Sequence, residues 1–316
     1  MLRRTMLAHG IPTLGIVGAG RVGCALGRRL REIGWRVGPV VTRGESSARA
    51  AVRVIGQGQA HAGLTRQILA ADVLLIATPD DAMSKVAAEL AEMGSEEWRG
   101  KIVLHTSGAL GSGVLEKLKL CGAETGSMHP LQTFSGREIP RLEGCFFVME
   151  GSVAAVRLAR TICRELGGIP VKVKAGGKAA YHAAGAFVAA FYLASLEAAT
   201  RILMAEGFTR RQAVRALEPL ARQTLENAKR LGPRAACTGP ISRGDFGTVE
   251  LHVRALGGFP REFGAAYVAL SRLAASLLSA EPRATLRSVE RALAAAGGGN
   301  SEPQGERLGE KSANSH

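Results

Sequence analysis

The sequence predicts an α/β fold: a doubly wound, mainly parallel sheet followed by an all-α helical domain. Three observations predict it. Short apolar runs alternate with helix-period segments from Thr13 to about residue 175. The first of these runs ends in glycines that open a helix. From Lys178 onward almost every segment has helical periodicity. The expected organisation is a sheet domain over 1–175, a helical domain over 176–296 and a tail over 297–316. That tail, GGGNSEPQGERLGEKSANSH, is glycine-rich and polar, too poor in apolar surface to order itself.

TLGIVGA (13–19) is a short apolar run, hence a buried strand. Val22, Ala25, Leu26, Leu30 and Ile33 then recur at helical spacing, and Gly34 stops that helix. WRVGPVVT is the second strand, and 45–55 is the second helix. DVLLIATP, ended by Pro79, is the fourth strand, KIVLHTSG the fifth and ETGSMHP the sixth. GCFFVMEG is a further strand, followed by a helix over 152–166 and the short strand IPVKV. Strands alternating with helices specify a parallel sheet covered on both faces. Helices follow near 178–206, 209–231, 246–257, 261–280 and 284–296. Thr209 and Thr285 are placed as N-caps, and Pro260 and Pro282 as breaks.

With 316 residues, the chain has room for two domains. Its net charge of +14 suits an anionic ligand, or serves only solubility, because the arginines are scattered through helices. Aromatic residues are 4%, which supplies no stacking platform for nucleic acid. The five cysteines (24, 121, 145, 163, 237) have no zinc-like or CxxC spacing, so no metal and a reducing, cytoplasmic setting are expected. The start, MLRRTMLAHGIPTLGIVGAG, is basic then apolar but lacks a small-residue cleavage site, so it reads as no export signal. Ala179–Ala199 has the apolarity of a membrane span, yet it holds Tyr181, His182 and Glu197. A buried core helix is expected there, and no membrane partner.

The fingerprint is GAGRVG, residues Gly18, Ala19, Gly20, Arg21, Val22 and Gly23. Gly18 allows the tight turn, Gly20 lets a pyrophosphate approach the backbone, and Gly23 lets helix and strand pack closely. The helix N-terminus then offers free N–H groups to the phosphates. At the second strand's end, where an NAD site usually carries an acid, stand Thr42 and Arg43, then Ser46 and Ser47. Arg43 can pair a 2′-phosphate and the serines can hydrogen-bond it, so NADP is expected in preference to NAD, with Glu45 as the counter-indication. Thr78, Pro79 and Asp80 end the fourth strand, and Thr106 and Ser107 the fifth, where a nicotinamide ribose and ring would be received. Pro79, Asp80 and Asp81 can equally form only a turn and a helix cap.

Four strings stand together: GAGRVG, HTSGA, GSMHPLQTF, and KAAYHAAGAF with TGPISRGD beyond it. The combination resembles a bacterial family in which a Rossmann-like domain precedes a helical domain of unknown function. It resembles, more widely, the superfamily of 6-phosphogluconate, 3-hydroxyisobutyrate and ketopantoate oxidoreductases and pyrroline-5-carboxylate reductase. The resemblance covers residues 12–295. It implies a Rossmann sheet, a 6-phosphogluconate dehydrogenase C-terminal-like helical domain, an NADP-type oxidoreductase and a homodimer through the helical half. The His-Pro pair also resembles that of prephenate dehydrogenases, an alternative activity. The chain departs from the hydroxyacid dehydrogenases, where an asparagine follows the lysine by one helical turn. Here Tyr181 and His182 follow Lys178, and Ala190 stands where the family commonly has asparagine.

Hydride transfer to a carbonyl or imine needs a proton donor, and its reverse a base. His129 ends the sixth strand and so belongs at the active edge. His182 and Lys178 lie four residues apart on one helix face, beside Tyr181. His129 or His182 is expected as the acid/base, with Lys178 also catalytic. Ser107, Gly108, Tyr181, Arg243 and Asp245 are expected to meet the substrate, with Arg243 clamping a carboxylate or phosphate. The plainer readings stay open: His105 as a strand histidine, His182 as a core histidine, Asp245 as an N-cap. His61 and His252 read as structural. The functional expectation is therefore an NADP-dependent oxidoreductase for a small carboxylated molecule. A non-catalytic NADP sensor or assembly protein is the rival.

Overall fold

The structure is a computed structural model, and it describes residues 11–136, 138–174 and 176–297. The expected absence of an export signal falls largely on 1–10, and the disordered tail on 298–316; both lie outside the described residues. The chain divides into two compact units, the first ending at Phe191 and the second beginning at Tyr192. The division comes later than the composition change near residue 175.

The first unit is built on an eight-stranded sheet. Its elements in chain order are β1 (Thr13–Val17), α1 (Arg21–Glu32), β2 (Arg36–Thr42), α2 (Glu45–Ile55), β3 (Gln59–Ala62) and β4 (Val73–Ile76). Then come α3 (Asp80–Ala91), β5 (Ile102–His105), α4 (Glu116–Leu120), β6 (Glu124–Pro130), β7 (Phe146–Gly151), α5 (Val153–Glu165), β8 (Ile169–Val171) and α6 (Lys178–Val188). The strand order is β3-β2-β1-β4-β5-β6-β7-β8. The first six strands follow the Rossmann order, with the switch point between β1 and β4. Every pairing is parallel except β6 with β7.

Strands buried on both faces read as continuous apolar runs. Leu14 and Ile16 of β1 and Leu75 of β4 pack with Leu26 and Leu30 of α1 and Leu158 and Ile162 of α5. On the other face, Leu74 and Ile76 of β4 pack with Met83 and Ala87 of α3 and Leu118 of α4. The one antiparallel pairing sets Gly126 opposite Gly151. Gly151 has φ +133°, and a Cβ there would stand 2.4 Å from the Gly126 Cα. Only glycine fits that crossing.

The second unit comprises helices. α7 (Ala190–Ala205) runs into it, followed by α8 (Arg210–Leu231), two one-turn helices, α9 (Pro233–Ala236) and α10 (Pro240–Arg243), then α11 (Phe246–Leu256), α12 (Arg261–Leu278) and α13 (Pro282–Gly297). Thr209 caps α8 through a reciprocal capping box with Gln212, and the helix runs on through Pro219. Thr285 is not an N-cap. The last helix starts at Pro282, whose missing N–H costs nothing in a first turn. The Thr285 hydroxyl instead meets that of Ser279 at 2.7 Å.

The expected single helix over 178–206 is interrupted at Ala189 (φ −112°, ψ −79°), where α6 ends before α7 starts at Ala190. Its expected burial is also corrected. Across Lys178–Ala205 the stretch is long and apolar enough to cross a membrane, yet only Lys178 and Thr200 are buried. Phe187, Val188 and Leu193 are more than half exposed. Apolar composition signals a face that water disfavours, and does not say what covers it.

Candidate active site

The glycine turn after β1 gives each glycine a distinct task. Gly18 has φ +80°, and its N–H donates to the Val41 carbonyl at 2.9 Å. A Cβ on Gly18 would lie 2.6 Å from the Thr78 backbone nitrogen, and one on Gly23 2.9 Å from the Gly18 carbonyl oxygen. A Cβ on Gly20 would meet nothing within 4 Å, so open space stands over that backbone. No side chain caps α1 and no acid lies in its first turn, in contrast to α5, capped by Ser152, and α8. An uncapped, electropositive helix end beneath open space is a cradle for a diphosphate. Ala19 is buried, Val22 half-buried and Arg21 exposed. The connection from β6 to β7 crosses the same helix. Arg29 donates to the carbonyls of Ile139 and Pro140 at 3.1 and 3.2 Å. A cleft of about 200 Å³ remains, lined by Gly20, Arg21, Cys24, Phe134, Gly136 and Pro140. Nothing in the composition of that connection singled it out.

At the end of β2, the Thr42 hydroxyl donates to the Gly44 carbonyl at 2.8 Å, which occupies it locally. Glu45 turns along its own helix to pair with Arg49. Arg43 and Ser46 are exposed, and among the described residues Arg43 has no ion-pair partner. At the β4 edge Thr78 is half-buried, with its hydroxyl 3.8 Å from the Met83 sulfur. Pro79 precedes α3, which Asp80 opens. Thr106 is buried beyond β5, its N–H donating to the Ile76 carbonyl at 3.0 Å.

The proton-bearing groups gather at the ends of β5 and β6. Along β6, Thr125, Ser127 and His129 alternate onto one face. Lys178, the first residue of α6, is 2% exposed. Its Nζ donates to the Ser107 carbonyl at 2.6 Å and to the Ser127 hydroxyl at 2.9 Å. Burial pulls its pKa down to about 8, against the opposing pull of Glu150 and Asp80. His129 Nδ1 and the Tyr181 hydroxyl lie 2.7 Å apart. Burial first, then Lys178 and His182, lower the His129 pKa to about 4, while burial pushes Tyr181 up to about 12. Both partners are therefore neutral at neutral pH.

His129 and His182 stand 5.9 Å apart, ring centre to ring centre, with Gly108 against both. A Cβ on Gly108 would lie 2.6 Å from one imidazole and 2.8 Å from the other, so no larger residue fits without moving them. Beneath them His105 is wholly buried, its pKa lowered to about 3, chiefly by burial and then by Lys178. The Ser107 N–H donates to its Nδ1 at 3.2 Å, which places the ring proton on Nε2. A backbone hydrogen bond at Gly111 opposes that lowering of the pKa.

Lys178, Ser107, Gly108, His129, Tyr181 and His182 are thus brought together. Ser127 and Glu150 were missed, although the alternation of polar residues along ETGSMHP was a readable sign of the first. Arg243 and Asp245 belong to the second unit. There, Asp245 caps α11, accepting from the Thr248 N–H at 3.3 Å and its hydroxyl at 2.7 Å, and those bonds lower its pKa. Arg243 donates to the Thr238 carbonyl. His252 reaches the Tyr267 hydroxyl at 2.8 Å.

Residues 6–130 match the family model of a Rossmann-like domain, and residues 145–274 match that of a domain of unknown function, DUF2520. A comparison with the curated proteins finds no match. Among solved structures, the chain is similar to a candidate NADP oxidoreductase from Bacteroides fragilis. The TM-score is 0.69 at 21% identity, covering 88% of this chain and 98% of that one. An imine reductase from Streptomyces aurantiacus gives 0.62 at 17% identity, covering 89% and 99%. An imine reductase from Myxococcus stipitatus, in complex with NAD+, gives 0.56 at 21% identity, covering 87% and 99%. At these identities the similarity establishes the fold.

Proposed function

We propose that this chain, a Rossmann-like domain joined to a DUF2520 domain, is an NADP(H)-dependent oxidoreductase that reduces a small carbonyl or imine compound, or runs the reverse reaction. The observation that carries the reading is the buried Lys178 ammonium among Ser107, Ser127 and His129 at the carboxyl edge of the sheet. That edge is where a doubly wound sheet receives its ligands. The named solved structures, among them a candidate NADP oxidoreductase and imine reductases, support the reaction class.

The residues around the glycine turn fit a dinucleotide. Gly18, Gly20 and Gly23 with the first turn of α1 would hold the diphosphate, and Arg43 with Ser46 the 2′-phosphate. Thr78, Pro79, Asp80 and Thr106 would line the ribose and ring. When bound, the cofactor supplies or accepts the hydride. Lys178 then manages the proton. Two of its three N–H groups are used on Ser107 and Ser127, and the third is left to polarise the reacting oxygen or nitrogen and protonate it. The assignment favours Lys178 over His129 as the acid. A neutral His129 has no proton to spare as imidazolium at neutral pH, whereas a lysine with pKa about 8 is charged there and still able to release. His129, held by Tyr181, and His182 orient the substrate across Gly108.

The reaction is tested by following NADPH fluorescence against a panel of carbonyl and imine compounds. Saturable binding with no oxidation by any member would favour the sensor. Cofactor preference is tested separately. Arg43→Ala should weaken NADPH binding by about 10- to 100-fold, as expected for one charge-assisted pair. NADH binding should stay unchanged. Equal affinities for both cofactors in the wild type would refute the NADP assignment.

The helical half is proposed to form a homodimer. Within the second unit, Leu193 of α7 and Leu270 and Leu277 of α12 are exposed apolar side chains that a second copy would cover. Sedimentation should give twice the chain mass. A monomer, or a particle that sediments only with detergent, would overturn this. A cytoplasmic setting fits five unpaired cysteines.

A further inference from the structure

Glu150 belongs to none of the motifs that pointed to function, yet it stands against the centre of the site. It lies on β7 directly opposite Ser127 of β6 in the antiparallel register. Opposed residues in such a pair share one face of the sheet, with Cβ atoms about 5 Å apart. Ser127 is the residue whose hydroxyl accepts from Lys178. The Glu150 carboxylate also accepts from the Ser112 N–H, and its Oε1 lies 3.0 Å from where a Gly111 Cβ would stand. One carboxylate therefore touches the turn that follows β5 and shares a sheet face with the lysine's acceptor.

We infer that Glu150 is a positioning residue: it holds the Gly108–Ser112 turn through Ser112 and supplies the negative charge that keeps the buried Lys178 ammonium protonated. This rests on the proposed role of Lys178. The charge balance around that ammonium favours the assignment. His105 on β5, His129 on β6 and His182 on α6 stand nearby. The first two are neutral and cannot compensate a cation. Asp80 at the start of α3 is the other carboxylate acting on Lys178, and its pull is smaller than that of Glu150. Asp80 is exposed, so water screens it, whereas Glu150 is half-buried. A buried ammonium needs a counter-charge or it loses its proton. In that balance Glu150 decides the pH at which the site can give a proton, although it touches neither substrate nor cofactor.

The test is Glu150→Gln, whose amide oxygen can still accept from Ser112 while the charge is gone. Two measurements are made on the full chain. The first is the ionisation of Lys178 itself, followed by NMR of 13Cε-labelled lysine without any substrate, and assigned with Lys178→Arg. The second is the pH profile of NADPH-dependent reduction. In Glu150→Gln the Lys178 titration should move down by about one pH unit, the lower end of the shift an adjacent opposite charge produces. The alkaline limb of the rate profile should move with it. An unmoved Lys178 titration, or a variant that only melts at lower temperature with its titration unchanged, overturns the inference. A moved titration with no reductase activity in the wild type supports the charge role of Glu150 while rejecting the reaction.

Discussion

Replacing Lys178 with methionine is expected to lower the rate of reduction by about 10²- to 10⁴-fold, the usual contribution of a positioned proton donor. NADPH affinity should change little, because the cradle at Gly18–Gly23 and Arg43 lies on other elements. The substitution keeps an unbranched side chain of similar length in the buried site, but leaves the Ser107 carbonyl and Ser127 hydroxyl without their donor. A stability loss of about 1–3 kcal/mol follows from those two stranded groups. Arginine should not restore the rate. Its planar, permanently charged head can neither match the two acceptors at 2.6 and 2.9 Å nor give up a proton. Single-turnover kinetics on folded variants separate these effects. A methionine variant within a few-fold of the wild-type rate would remove Lys178 from the chemistry.

The second large effect is on stability in acid. His105 and His129 have pKa values lowered from 6.5 to about 3 and about 4, both chiefly by burial and then by the nearby Lys178 charge. The folded chain therefore holds them neutral where the unfolded chain takes up protons. Stability is greatest above pH 6.5 and falls as pH drops from there toward the folded-state values. For the wholly buried His105, the loss at pH 5 is about 2 kcal/mol, from about 1.4 kcal/mol for each unit between 6.5 and the working pH. His129 adds a loss of the same sign. Urea denaturation of the wild type and of His105→Asn at pH 7 and pH 5 measures it. The variant should lose less stability between the two pH values, and identical losses would show that His105 does not titrate on unfolding.

The parts legible in the sequence were those that local patterns encode. The glycine turn, the apolar strand runs and the helix period come from residues within a few positions of one another. They led directly to the sheet and to a Gly20 with open space above it. The rest depended on pairings between distant residues. Lys178 and His182 share a helix face, yet Lys178 is buried and His182 exposed. The first residue of a helix leans back past its own start, here onto the ends of β5 and β6. Ser127 and Glu150 become neighbours only because β7 runs antiparallel to β6, and alternation of strands with helices had suggested otherwise. The apolarity of 178–205 was legible, but its exposure was not. A hydropathy pattern has the same form whether the covering surface is the same chain or another molecule.

The crossing of Gly126 and Gly151 acts as an alignment pin for this assembly. Side chains on a strand alternate faces, so a slip of one residue between β6 and β7 would turn a whole row over. Ser127 and His129 would then point away from Lys178, or Glu150 away from Ser127, with every residue of the candidate site still present in the chain. Sliding the strands would set a residue with a Cβ where the backbones pass too closely to admit one. Two residues with no side chain thus make mis-pairing of β6 with β7 self-rejecting during folding. Alanine at either one should be harmful to the reaction although neither has a functional group to lose.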